Sequence, residues 1–104
     1  MVALASHIAI VIEYLLKLQS SPASMPARGW TDSVLRARGE IERLLADSPS
    51  LRGEVGGMIT KGFPRARALV RAGLKEYGEQ PLIDLDQVSY TEDQVLGDWM
   101  PERA

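Results

Sequence analysis

The sequence predicts an all-α fold, a small bundle of three main helices followed by a short capped C-terminal helix. Three observations carry this. Apolar residues recur at steps of three and four over long stretches, clusters of Ser, Pro and Gly separate those stretches, and a Thr-x-x-Gln signature opens a last short element. The 104 residues, 45% apolar and 25% charged, fit one domain over residues 1–104 with helices at about 3–19, 30–46, 49–77 and 92–97.

The first helix is apolar around most of its girth: Leu4, Ile8, Ile10, Val11, Ile12, Leu15, Leu16 and Leu18 leave only a narrow polar stripe of Ser6, Glu13, Lys17 and Ser20. Such a helix belongs in the middle of a structure. Glu13 and Lys17 are an i,i+4 pair in the favourable order. His7 has no local polar partner, with Ala3 and Val11 one turn away, and reads as a structural or surface histidine. The charge-free run ends at Glu13, too early for a membrane span, and residues 1–12 lack the basic start of a signal peptide, so the expected location is the cytoplasm with no membrane partner.

Residues 20–29 read as a connecting loop. The second helix is amphipathic, with Trp30, Val34, Ala37, Ile41, Leu44 and Leu45 on one face. Asp32 with Arg36 and Arg38 with Glu42 stand as opposite charges four residues apart. Ser48 and Pro49 suit the N-cap and first position of the third helix. That helix is poor locally: Gly53, Gly56, Gly57 and Gly62 each cost about 1 kcal/mol relative to Ala, and Pro64 predicts a kink or break near Phe63. Its small residues also permit close helix approach. Gly78 closes it, and residues 79–89 read as an irregular or 3₁₀ stretch that Leu82, Leu85 and Val88 can clip onto the core. Thr91 and Gln94 then form a capping box, with Tyr90 and Val95 at the hydrophobic-staple positions and Trp99 as a terminal anchor.

Charge is placed unevenly. Residues 1–75 carry 11 Lys and Arg against 6 Asp and Glu, whereas residues 76–104 carry 1 against 8. The acidic segment is expected to fold back on the basic body. Lys61, Arg65, Arg67, Arg71 and Lys75 form a basic arc, a candidate face for an anionic partner. With no cysteine, disulfides, thiolate zinc sites and cysteine nucleophiles are excluded. A single histidine leaves a metal site dependent on carboxylates, and Asp84 with Asp86 is a weak chelating pair. No phosphate-binding loop or nucleophile elbow occurs, so the sequence assigns no catalytic residue, cofactor or metal.

The order of features from Tyr14 to Pro101 resembles the bacterial, all-helical family known as domain of unknown function twenty-nine. The match rests on Leu15, Leu16, Lys17, Gln19 and Trp30, on Arg38, Ile41 and the run from Asp47 through Leu51, on Phe63, Ala66 and Arg67, and on Tyr90, Thr91, Gln94, Leu96, Asp98, Trp99 and Pro101. The resemblance implies a helical fold and no assigned activity. Tyr14 stands where the family usually has His, and Leu18 where it has Trp. Typical members begin some tens of residues earlier, so this chain reads as an N-terminally short member. Arg38 and Arg67 fall at family positions and read as buried or half-buried ion-pair partners of Asp47 or the tail carboxylates.

These readings converge on a non-enzymatic interaction or regulatory module. Without covering helices, the first helix would expose a large apolar patch, and burying about 400 Å² on each of two partners is worth roughly 20 kcal/mol before association costs. The expected interface is Leu4, Ile8, Val11, Ile12 and Leu15, covered by a second copy in a homodimer or by another protein. Wrapping of residues 79–101 over this face within one chain is the monomeric alternative. Nucleic acid bound by the basic arc is the lesser functional reading.

Overall fold

The computed structural model describes residues 2–23 and 25–102. Met1, Ser24 of the expected loop, Arg103 and Ala104 lie outside them. The described chain forms α1 (Val2–Ser20), α2 (Ala27–Asp47), a 3₁₀ segment (Pro49–Glu54), α3 (Val55–Glu76) and α4 (Glu92–Leu96), with no strand among the described residues. None of these helices is long and apolar enough to cross a membrane.

The apolar girth of α1 sets the architecture. It packs against both α2 and α3 and also touches α4. Leu4, Ile8, Val11, Ile12, Leu15 and Leu16 are completely buried. They meet Val34 and Ile41 of α2, and Val55, Ile59, Phe63, Ala66 and Val70 of α3, in one core. At the contact of α1 with α3, Gly62 faces Ile12 and Ala9, and a Cβ there would be in ordinary van der Waals contact, 3.4 Å from Ile12 Cδ1 and 4.0 Å from the Ala9 backbone. The outward stripe of α1 keeps Glu13 and Lys17 paired at 3.2 Å. Ser20 departs from that stripe: it is buried, and its hydroxyl donates to Leu16 O at 2.6 Å.

This burial overturns the premise of the expected dimer interface. Leu4, Ile8, Val11, Ile12 and Leu15 are enclosed by their own chain, so no partner is needed to cover them. The reason is geometric. The second and third helices flank α1 on two sides, and the segment after α3 supplies Leu85, Tyr90 and Val95 to the same core. The expected clip is therefore made by Leu85 and half-buried Val88, while Leu82 stays 64% exposed.

Element boundaries moved for local reasons. The second helix begins at Ala27, three residues before the expected start, because Pro26 already takes αR angles and its carbonyl accepts from Trp30 N at 3.1 Å. The third helix runs unbroken through Pro64. Pro64 and Thr60, whose carbonyl the proline leaves without its helical donor, are both exposed to water, so the lost bond is replaced by solvent. The irregularity falls earlier, in the 3₁₀ segment, where Ser48 sits at the N-cap without a side-chain hydrogen bond. Gly78, at φ +66°, closes α3 in a Schellman arrangement with Glu79 N donating to Leu74 O (2.8 Å) and Gly78 N to Lys75 O (3.1 Å).

The segment after Gly78 is strapped down by two arginines. Arg67 of α3 donates from Nε to Leu85 O (2.9 Å) and from Nη2 to Val88 O (2.7 Å). Arg38 of α2 is buried, and it donates to Val95 O (2.9 Å), Gln94 O (2.6 Å) and Trp99 O (2.7 Å). Two of those acceptors lie in the last turn of α4, whose terminal carbonyls have no partner within the helix. Between the two guanidiniums lies an aromatic row. Arg67 stacks on Phe63 at 4.8 Å, and the Phe63, Tyr90 and Trp99 rings follow at 5.4 and 5.5 Å. Tyr90 also donates its hydroxyl to Gln19 Oε1 at 2.8 Å, and the capping box of Thr91 and Gln94 forms as expected. Burial pulls the Arg38 guanidinium below its ordinary pKa, with Asp98 opposing, and pushes the Tyr90 phenol up.

Two predictions follow from the strap. Arg38→Met strands three carbonyls and should cost about 3 kcal/mol in urea unfolding, while Arg38→Lys, which keeps the charge without the fork, should cost about half of that. A loss for Arg38→Met within about 0.5 kcal/mol, as at an ordinary surface site, contradicts the assignment. The second concerns pH. The fold favours the neutral Tyr90 phenol, so the unfolded chain ionises first. Tyr90 leaves stability unchanged below about pH 10 and lowers it above, by up to about 1.4 kcal/mol per pH unit. Tyr90→Phe should flatten the alkaline limb of a stability profile; an unchanged slope contradicts it.

Candidate functional site

Each residue expected to meet an anionic partner has a definite place on α3. Lys61, Arg65 and Lys75 are exposed. Arg67 is turned inward to the strap, and Arg71 is paired with Asp86. That pairing holds the Asp86 carboxyl below its ordinary pKa. The basic arc is thereby divided: Arg67 and Arg71 are both engaged by the segment after Gly78, Arg71 alone through one of its carboxylates. The partners of Arg38 and Arg67 are backbone carbonyls rather than the carboxylates expected for them.

Both arginines carried a signal in their spacing. Arg38 stands four residues after Val34 and three before Ile41, and Arg67 stands four after Phe63 and three before Val70. Each follows an alanine and sits on the apolar stripe of its helix, the position from which a side chain is directed inward. On the outer face of α2, Arg43 pairs with Glu40 at 2.7 Å and reaches Asp47 at 3.8 Å. These pairs, not the expected Asp32 with Arg36 or Arg38 with Glu42, carry the mixed charge. His7 is half-buried and lines a shallow groove between α1 and α2 with Glu13, Tyr14, Arg36 and Glu40. Among the described residues no three His, Asp or Glu side chains come together as a metal site.

The most enclosed of three concavities lies at one end of the bundle and was not legible from any single motif. It is a cleft of ≈ 440 Å³ within the range of small-ligand pockets. Three elements build it. The C-terminal end of α1 supplies Lys17, with Ser21 and Ala23 just beyond; the start of α2 supplies Trp30 after Pro26; and the end of α3 supplies Val70, Gly73 and Leu74, with Tyr77 and Glu79 following. The turn at Gly78 brings Glu79 back to the buried Ser21, whose hydroxyl donates to Glu79 Oε1 at 3.3 Å. Leu82 N donates to Ser20 O at 2.7 Å and fixes the following residues beside the α1 terminus. The walls are aromatic and aliphatic, and the charged groups are Lys17 and Glu79. The Lys17 ammonium is engaged by Glu13 at 3.2 Å and by the Tyr14 ring at 4.4 Å.

The comparison with protein families gives one match, to the family described as Domain of unknown function DUF29, over residues 1–100. No curated protein and no solved structure matches the chain. The matched span contains the two strapping arginines, the capping box and all lining residues of the end cleft. The chain belongs to the family of Domain of unknown function DUF29.

Proposed function

We propose that this protein is a non-catalytic helical binding module that engages a protein partner at the end of its bundle. One observation carries the reading: of the six large apolar side chains exposed among the described residues, Tyr77 lines the end cleft, and Met25 and Leu82 belong to the segments that supply its rim. Tyr77, 77% exposed, lines it. Met25, 93% exposed, sits between the lining residues Ala23 and Pro26, and Leu82 is tied to Ser20 beside the lining residue Ser21. Tyr, Trp and Met are the residue types that interface cores favour, and clustered exposure of this kind marks contact surfaces. The α1 residues first considered for self-association are spent on the core, so the contact surface is assigned to the bundle end. The reading keeps the cytoplasmic location suggested by the sequence.

A photo-crosslinking side chain placed at Tyr77 in cells tests this against one at Leu35, which is 54% exposed on α2. The expected result is a discrete adduct at Tyr77, identified by mass spectrometry, whose purified form binds the protein and loses affinity when Met25 and Leu82 are changed to Ser. Equal adducts at both positions, or adducts only with further copies of the same chain, contradict it.

A further inference from the structure

The chemistry of the end cleft goes further than its shape. Lys17 lines the cleft but is already engaged, by Glu13 at 3.2 Å and by the Tyr14 ring at 4.4 Å. Glu79 differs. Its Oε1 accepts only a long bond from the Ser21 hydroxyl, and no cation lies within ion-pair distance among the described residues. The C-terminal ends of α1 and α3 bring partial negative charge to this end of the bundle, and the N-terminus of α2 at Pro26 brings partial positive charge, so the directed negative charge of the cleft is that of the Glu79 carboxylate. The Trp30 and Tyr77 rings line the same cleft, as do the aliphatic side chains of Val70 and Leu74. Arg28 and Lys75, the other cations near in sequence, do not line it.

We infer that the cleft takes an organic cation on an apolar stem, an ammonium or guanidinium group lying between the Trp30 and Tyr77 rings and Glu79. Aromatic faces attract such cations through their quadrupole, a carboxylate adds directed charge, and the aliphatic side chains accept the stem. Two sources share this chemistry: a lysine or arginine side chain of the protein partner, or a small alkylamine. The inference rests on the cleft being the binding face proposed above and adds the charge and class of what enters it.

The test titrates the intact protein with hexyltrimethylammonium and with an end-blocked tripeptide carrying a central arginine, using hexanoate and 1-hexanol as anionic and neutral controls. Binding is read from the Trp30 indole and Glu79 amide resonances. The expected result is saturable shifts at both resonances with at least one cationic probe, the tighter of the two naming the source. Glu79→Gln should weaken that binding by about tenfold and Tyr77→Ala by about fivefold, with helical content unchanged. Hexanoate or hexanol binding as tightly as either cation overturns the charge assignment while leaving the cleft a binding site. Absence of shifts with every probe overturns the inference while the crosslinking result decides separately on the partner. Full retention of cation binding in Glu79→Gln also overturns it.

Discussion

The structure depends on guanidinium forks bonded to backbone carbonyls. A 23-residue segment after Gly78 has no regular structure beyond five residues of α4, so most of its carbonyls cannot be satisfied internally. Arg67 takes two of them near the start of the segment and Arg38 takes three near its end. Planar, permanently charged and able to donate in several directions, arginine suits this role as lysine does not. The cost is partial burial of two charges, offset for Arg38 by three acceptors and by Asp98 nearby. Between the forks the aromatic row from Phe63 through Tyr90 to Trp99 gives the segment its apolar anchorage.

From this follows the position of α1. A helix buried on most sides needs more neighbours than two antiparallel helices provide, and the strap supplies the remaining apolar side chains from the same chain. The same strap is rich in acidic residues and nearly free of basic ones, so fixing it also places negative charge against the basic body, seen in the pairing of Asp86 with Arg71. The strap likewise shapes the end cleft, because its first residues carry Glu79 to Ser21 and pin Leu82 to Ser20. Core formation, charge balance and the candidate site therefore share one structural cause.

Much of the fold was legible in residue order. The all-round apolar pattern identified α1 as central, Gly78 marked the end of α3 as the one residue type that readily takes the positive φ found there, and Thr91 with Gln94 marked the start of α4. What was not legible had physical reasons. Periodicity states that a helix needs covering but not which segment covers it, so the enclosure of Ile8, Ile12 and Leu15 by the chain itself was weighed as the lesser alternative to a dimer. Pro64 removes a helical hydrogen bond and crowds the Thr60 carbonyl, but whether the helix tolerates this depends on that turn being exposed, which is a tertiary property. Arg67 reads both as a member of the basic arc and as an inward ion-pair partner, because charge alone settles neither its direction nor its acceptor; its spacing to Phe63 and Val70 gives the direction, and the backbone carbonyls it meets are a tertiary property. The cleft is assembled from the ends of three elements distant in sequence, and no local motif announces such a juxtaposition.

Shelter of α1 within a single chain is the central claim, and hydrogen exchange measured across a roughly hundredfold dilution tests it most directly, since burial by a second copy is lost by mass action. The account predicts that the amides flanking Ile8, Ile12 and Leu15 are among the slowest to exchange and that their protection is the same at every concentration. Protection of α1 that falls as the protein is diluted would contradict it.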